Sequence, residues 1–178
     1  MTSSLHVVFI WMHILGIALF VGPQFFLAYG WVPASRKIAD VPTRLEAMRT
    51  ITRRFAWMGG AGLLLIVVAG VYLVGSWRTY YHLDDGASFL SYRYGVIFIV
   101  KMCLLAVMLA AVGLHTFLVG PRLIDALERE SLGQASAADV RRHRVYSMSL
   151  SIGGLALALA IMVLGAMLNT SSYSVIEF

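Results

Sequence analysis

The chain has 178 residues, 60% of them hydrophobic and only 13% charged, with a net charge of +5. Soluble domains carry about a quarter charged residues, so this composition belongs in lipid and excludes an ordinary water-soluble fold. The basic excess sits in short stretches beside apolar runs, which is a topology signal and not a footprint for DNA or RNA, so no nucleic-acid partner is expected.

The first apolar run extends from about Leu5 to Val32 and stops at Pro33. It has no basic n-region and continues too long for a signal-peptide core, so it is expected to be retained as a helix. The loop after it, Ile38 to Thr52, carries Val41, Leu45, Met48 and Ile51 at helical spacing. It reads as a short amphipathic helix lying on the membrane surface. The second run covers about Phe55 to Trp77. A loop from Arg78 to Arg93 follows, with Tyr80, Tyr81, His82, Asp84 and Asp85; Trp77, Tyr80, Tyr81 and Tyr92 read as interfacial anchors. The third run covers about Tyr94 to Val119, before Gly120-Pro121, and the fourth about Tyr146 to Leu168. Each exceeds the ~20 apolar residues needed to cross a ~30 Å hydrocarbon core. Helix is the conformation that lets a lone span satisfy its own backbone there.

Lys and Arg distribution orients the spans. Arg36, Lys37, Arg44, Arg49, Arg53 and Arg54 lie in the first loop, and Arg122, Arg129, Arg141, Arg142 and Arg144 in the third. The second loop has only Arg78 and Arg93. Loops one and three are therefore expected in the cytoplasm and both termini outside. The expected architecture is all-α: a single integral membrane four-helix bundle over residues 1–178, with helices of about 5–32, 55–77, 94–119 and 146–168, multi-pass in the inner (cytoplasmic) membrane.

Chemistry should reside in the few polar groups within lipid-length helices, because burying an ionisable group is costly unless it is used or paired. Three qualify: His13 in the first helix, and Lys101 and His115 in the third. Counting along the helices at ~1.5 Å per residue, His13 lies about 12 Å and Lys101 about 10 Å from the outer ends, whereas His115 lies about 31 Å down. His13 and His115 therefore cannot hold opposite faces of one haem. An axial His13 would pair with Lys101, another residue at that depth, or nothing, and a ligating His115 would belong to a second, inner site. Lys101, Met108 and His115 share one helix face, as do His6, His13 and Phe20, since seven residues make two turns. For Met108 and Phe20 that stripe reads as a packing seam, and His6 reads as an interfacial histidine. Gly59, Gly60 and Gly62, and Gly153 and Gly154, suggest close helix contact or, equally, room for a flat ring. Copper is the alternative metal, with Met12, Met102, Cys103 and Met108 near the histidines as soft donors. Cys103 is the single cysteine, so no disulfide framework exists. Walker A, G-x-S-x-G, H-E-x-x-H and dinucleotide fingerprints do not occur.

The stretch Trp11-Met12-His13-Ile14-Leu15-Gly16 through Phe20 and Gly22, with Arg53/Arg54-Phe55, Val100-Lys101 and Gly120-Pro121-Arg122, resembles the HemJ-type protoporphyrinogen oxidases and the related copper-resistance-D-like membrane proteins. The resemblance implies a four-helix bundle binding haem b, with the oxidases' functional histidine and lysine falling on His13 and Lys101. It also implies electrons passed to quinone or a redox-protein partner. The chain departs from the oxidases at Phe20, where they carry tryptophan, and at Tyr29, where they carry arginine. The leading expectation is a haem b protein of membrane electron transfer, free-standing, homo-oligomeric or a subunit of a larger respiratory or photosynthetic complex. Cofactor-binding residues would be His13, Lys101 and His115, with His13 and His115 as metal ligands. Protoporphyrinogen oxidation and copper transport or resistance are the alternatives.

Overall fold

Apolar runs of this length leave the backbone no partner but itself, and the computed structural model shows the result. It describes residues 3–83, 86 and 88–177; among these the chain is 87% helical with no strands. Asp84 and Asp85 lie outside the described residues. Four helical stretches are long and apolar enough to cross a membrane: Ser4–Ser35, Val41–Gly75, Arg93–Ser131 and Ala137–Leu168. The first joins α1 (Ser3–Phe25), a π-helical segment (Phe26–Trp31) and α2 (Val32–Ser35); the second is α3 (Val41–Gly75). After α4 (Trp77–Tyr80), the third joins α5 (Arg93–Leu114), a π-helical segment (His115–Val119) and α6 (Gly120–Ser131). The fourth is α7 (Ala137–Leu168), followed by α8 (Ser171–Ser174).

These helices overrun the expected ends. Pro33 and Pro121 do not stop them: each sits in the first α turn after a π segment and the helix continues through it. The second helix begins at Val41 and not near Phe55, capped by Asp40, whose carboxylate accepts the Thr43 N–H at 3.0 Å. The segment expected to lie along the membrane surface is thus the first turns of α3 itself. The fourth likewise begins at Ala137, with Ser136 as its cap, and not near Tyr146. With 35 residues, α3 is about 52 Å long, so about 22 Å of it projects beyond a ~30 Å hydrocarbon core. The projecting turns pack on one another. Leu45, Ala126 and Val140 are buried there, and Arg49 pairs with Glu128 at 2.6 Å.

Within the spans, α1 packs along α3 and α5 along α7, giving two hairpin pairs. The first is closed by glycine: a methyl on Gly16 would lie 2.7 Å from the Gly62 carbonyl oxygen, and one on Gly62 would lie 2.7 Å from that of Gly16. The pairs meet around buried Phe20, Val21, Met108 and Ala158, with Leu63 and Ile66 packed against them. Met108 and Phe20 are therefore core residues, as the packing-seam reading expected. At the far end Trp77 stacks on Tyr94 at 5.1 Å and meets Phe89 edge-on at 5.3 Å. Tyr81 donates its hydroxyl to the Leu168 carbonyl at 2.5 Å. Trp77, expected as an anchor in the interface, is buried in this cluster and ties the end of α3 to the start of α5 and the end of α7.

Candidate functional site

The tight α1–α3 contact fixes the surroundings of His13. One turn from Gly16, its ring reaches across to α3, where Nδ1 lies 3.2 Å from the Ile66 carbonyl oxygen. A carbonyl only accepts, so Nδ1 carries the proton and Nε2 keeps its lone pair. This is how metal-ligating histidines are commonly held, the second nitrogen pinned by a backbone oxygen and the first presented outward. Gly70 lies against the ring, where a methyl would make ordinary contact 3.6 Å from His13 Cε1.

Lys101 stands on α5 and leans toward α7, where a methyl on Gly165 would lie 3.6 Å from its Nζ. The two polar side chains thus rest against different helices, each beside a glycine.

His115 is separate. It lies 14 residues beyond Lys101 on the same continuous helix, about 21 Å along the axis, at the first residue of the π segment. Its Nε2 is 3.5 Å from Ser151 Oγ on α7, and its Nδ1 is buried without a partner among the described residues. Single-turn π segments arise where a helix accommodates an insertion, often at functional positions. His6 stacks on Tyr80 at 4.0 Å, which suits an interfacial histidine.

The donors near His13 decide what could be held there. Among the described residues no group of three or more His, Cys, Asp or Glu converges. Cys103 is exposed, Met102 is 39% exposed and Met108 is enclosed in the apolar core, so these three soft donors do not share one environment. A tetrapyrrole brings four donors of its own and asks the protein for one or two, of which His13 Nε2 could supply one. Room for a flat ring is absent at Gly62, which Gly16 fills, whereas Gly60 and Gly153 face open space.

Several participants escaped sequence reasoning. The Ile66 carbonyl, Gly70 and Gly165 have no side-chain signal of their own. Ser151 could have been found as a hydroxyl within a lipid-length helix. Tyr72 has a hydroxyl that is buried without a partner among the described residues, its ring stacked on Phe9 at 3.9 Å.

The family model described as Copper resistance protein D matches residues 49–167. No curated protein matches the chain, and no solved structure does. The matched stretch includes Lys101, His115 and Ser151 and leaves His13 outside it.

Proposed function

The chain belongs to the copper resistance protein D family, and as a multi-pass membrane protein of that family we propose that it binds haem b for electron transfer, with His13 as axial ligand. The observation that carries this reading is the His13 ring itself: half-buried, its Nδ1 spent on the Ile66 carbonyl and its Nε2 left to bind. Lys101 would serve as second ligand in its neutral form, or as a cation pairing a propionate. When bound, haem would supply reversible one-electron chemistry. The chain's own part is to fix the imidazole tautomer, exclude water through the Phe20–Met108 core and hold a compensating amine within the membrane. The Lys and Arg distribution supports both termini outside and loops one and three in the cytoplasm of a cell with this protein in its inner membrane.

The family name itself favours a second reading, copper handling at the same membrane. A copper ion would need donors beyond the single imidazole, and no group of three His, Cys, Asp or Glu converges among the described residues, so haem, which brings four donors, suits the site better. Porphyrinogen oxidation at the haem pocket is a third activity, and complementation of a strain lacking it is the check. The deciding experiment is a reduced-minus-oxidised spectrum of the purified protein with haem and copper quantitation, repeated on His13→Ala. Stoichiometric haem lost in that variant is expected. Stoichiometric copper without a Soret band would replace haem by the copper reading.

A further inference from the structure

We propose that the groove between α1 and α3 at the basic end of the spans binds one anionic phospholipid. One acyl chain would lie in the groove, with the phosphate at Arg53 and Arg54. The groove, about 320 Å³, is lined by Ala18, Leu19, Gly22, Pro23, Phe26, Phe55 and Met58. From Ala18 to Phe26 it runs about 12 Å along α1. Its floor is small-residue backbone, and a methyl on Gly22 would have nothing within 4 Å. Phe26 and Phe55 meet edge to face at 5.6 Å between ring centres. The π segment Phe26–Trp31 begins at this same level.

Charge places the headgroup. Arg54 is four residues before Met58 and so stands on the groove's row of α3; Arg53 bears the same relation to Trp57, which is 76% exposed. Helical side chains tilt toward the N-terminus, which for α3 is the membrane edge, so both guanidinium groups reach the phosphate level while their stems cover apolar surface. Both arginines are exposed. Neither has an ion-pair partner among the described residues, the pair in that region being Arg49–Glu128. An open apolar furrow long enough for the upper half of an acyl chain, ending at two cations with no ion-pair partner among the described residues and beside an exposed tryptophan, matches an amphiphile with a negative head. A zwitterionic headgroup would cancel most of that attraction.

The test uses the full chain in nanodiscs and native mass spectrometry with palmitoyl-oleoyl phosphatidylglycerol against the phosphatidylcholine of the same chains. Two arginines should favour the anionic lipid by about 30-fold at low salt. The preference should vanish in Arg53→Gln/Arg54→Gln and persist in Arg141→Gln/Arg142→Gln. Gly22→Leu, whose first carbon meets nothing within 4 Å and whose remaining atoms would occupy the groove, should weaken retention of the lipid while circular dichroism stays unchanged. The proposal is overturned if the wild type shows no preference, or if both double variants lose it equally, which would make the effect diffuse charge. It is also overturned if Gly22→Leu binds as wild type, or if inorganic phosphate alone displaces the lipid.

Discussion

Replacing Gly62 by alanine tests whether the α1–α3 contact both holds the first hairpin and sets His13. The added methyl would meet the Gly16 carbonyl oxygen at 2.7 Å, Leu19 Cβ at 3.0 Å and the Phe20 nitrogen at 3.0 Å. Backbone cannot step aside, so ordinary contact near ~3.4 Å requires the helices to part by about 0.7 Å. Overpacking of this kind costs about 1–3 kcal/mol. The same parting carries the His13–Ile66 contact from 3.2 Å to about 3.9 Å, beyond hydrogen-bond reach, adding about 0.6 kcal/mol, the average for interhelical bonds in membranes. Gly60→Ala is the control, since a methyl there meets nothing within 4 Å and reports only the helix-propensity gain of up to about 1 kcal/mol. Reversible unfolding in dodecylmaltoside–SDS mixtures, followed by circular dichroism, should separate the two variants by about 1.5–3.5 kcal/mol. ¹⁵N NMR of the His13 ring should show the fixed Nδ1-H tautomer lost in Gly62→Ala alone. Equal stability of the two variants, or an unaltered His13 ring in Gly62→Ala, would refute the reasoning.

Met108→Ala should cost about 2–5 kcal/mol in the same unfolding assay, because Met108 is 3% exposed within the core shared by both hairpins; a loss no larger than that of Met102→Ala, at 39% exposure, would return Met108 to the lipid face. Tyr81→Phe removes the hydroxyl donated to Leu168 and should cost about 1 kcal/mol. Burial pushes the Tyr81 phenol up, so the folded state favours the neutral ring. Stability from this group is full below the ordinary phenol range and falls as pH rises above it, a limb that Tyr81→Phe should shrink. Bonding to Thr43 holds the Asp40 carboxyl below the usual carboxylate range. Its support is therefore present above that range and is lost as pH falls through the lowered value. Hydrogen exchange of the first turn of α3 should accelerate at acid pH in wild type and lose that pH dependence in Asp40→Asn.

Spans were legible because hydropathy integrates over many residues, and a run such as Leu5 to Val32 leaves one structural solution in lipid. Ends were not, since Pro33 and Pro121 ordinarily stop a helix and here open one. The deciding feature is the π segment before each, which has no sequence signature. Val41, Leu45, Met48 and Ile51 showed an apolar stripe, but periodicity does not say whether lipid or protein covers it; α6 does, and Leu45 is 3% exposed. His13 and Lys101 stood out because an ionisable side chain in a span is rare. Their supports did not, because a carbonyl and two glycines become meaningful only when another helix is laid against them.

The two hairpins differ in the way each holds its polar side chain. Glycine at positions 16 and 62 brings α1 and α3 to backbone contact, so His13 is placed by main chain, whose position varies little with side-chain changes. Lys101 sits on the other pair, beside Gly165, with a long flexible stem and no hydrogen-bond partner among the described residues. A rigid imidazole on one hairpin and an adaptable amine on the other make an asymmetric arrangement. The imidazole can set the geometry of whatever binds, and the amine can follow its charge, as a neutral donor or as a cation, by rotating about its stem. Exchanging Lys101 for methionine should therefore disturb charge and leave His13 in place. The ring's ¹⁵N tautomer pattern would remain while any bound cofactor's potential shifts. Simultaneous loss of the His13 pattern would mean that the centre is held by both hairpins and not by the first alone.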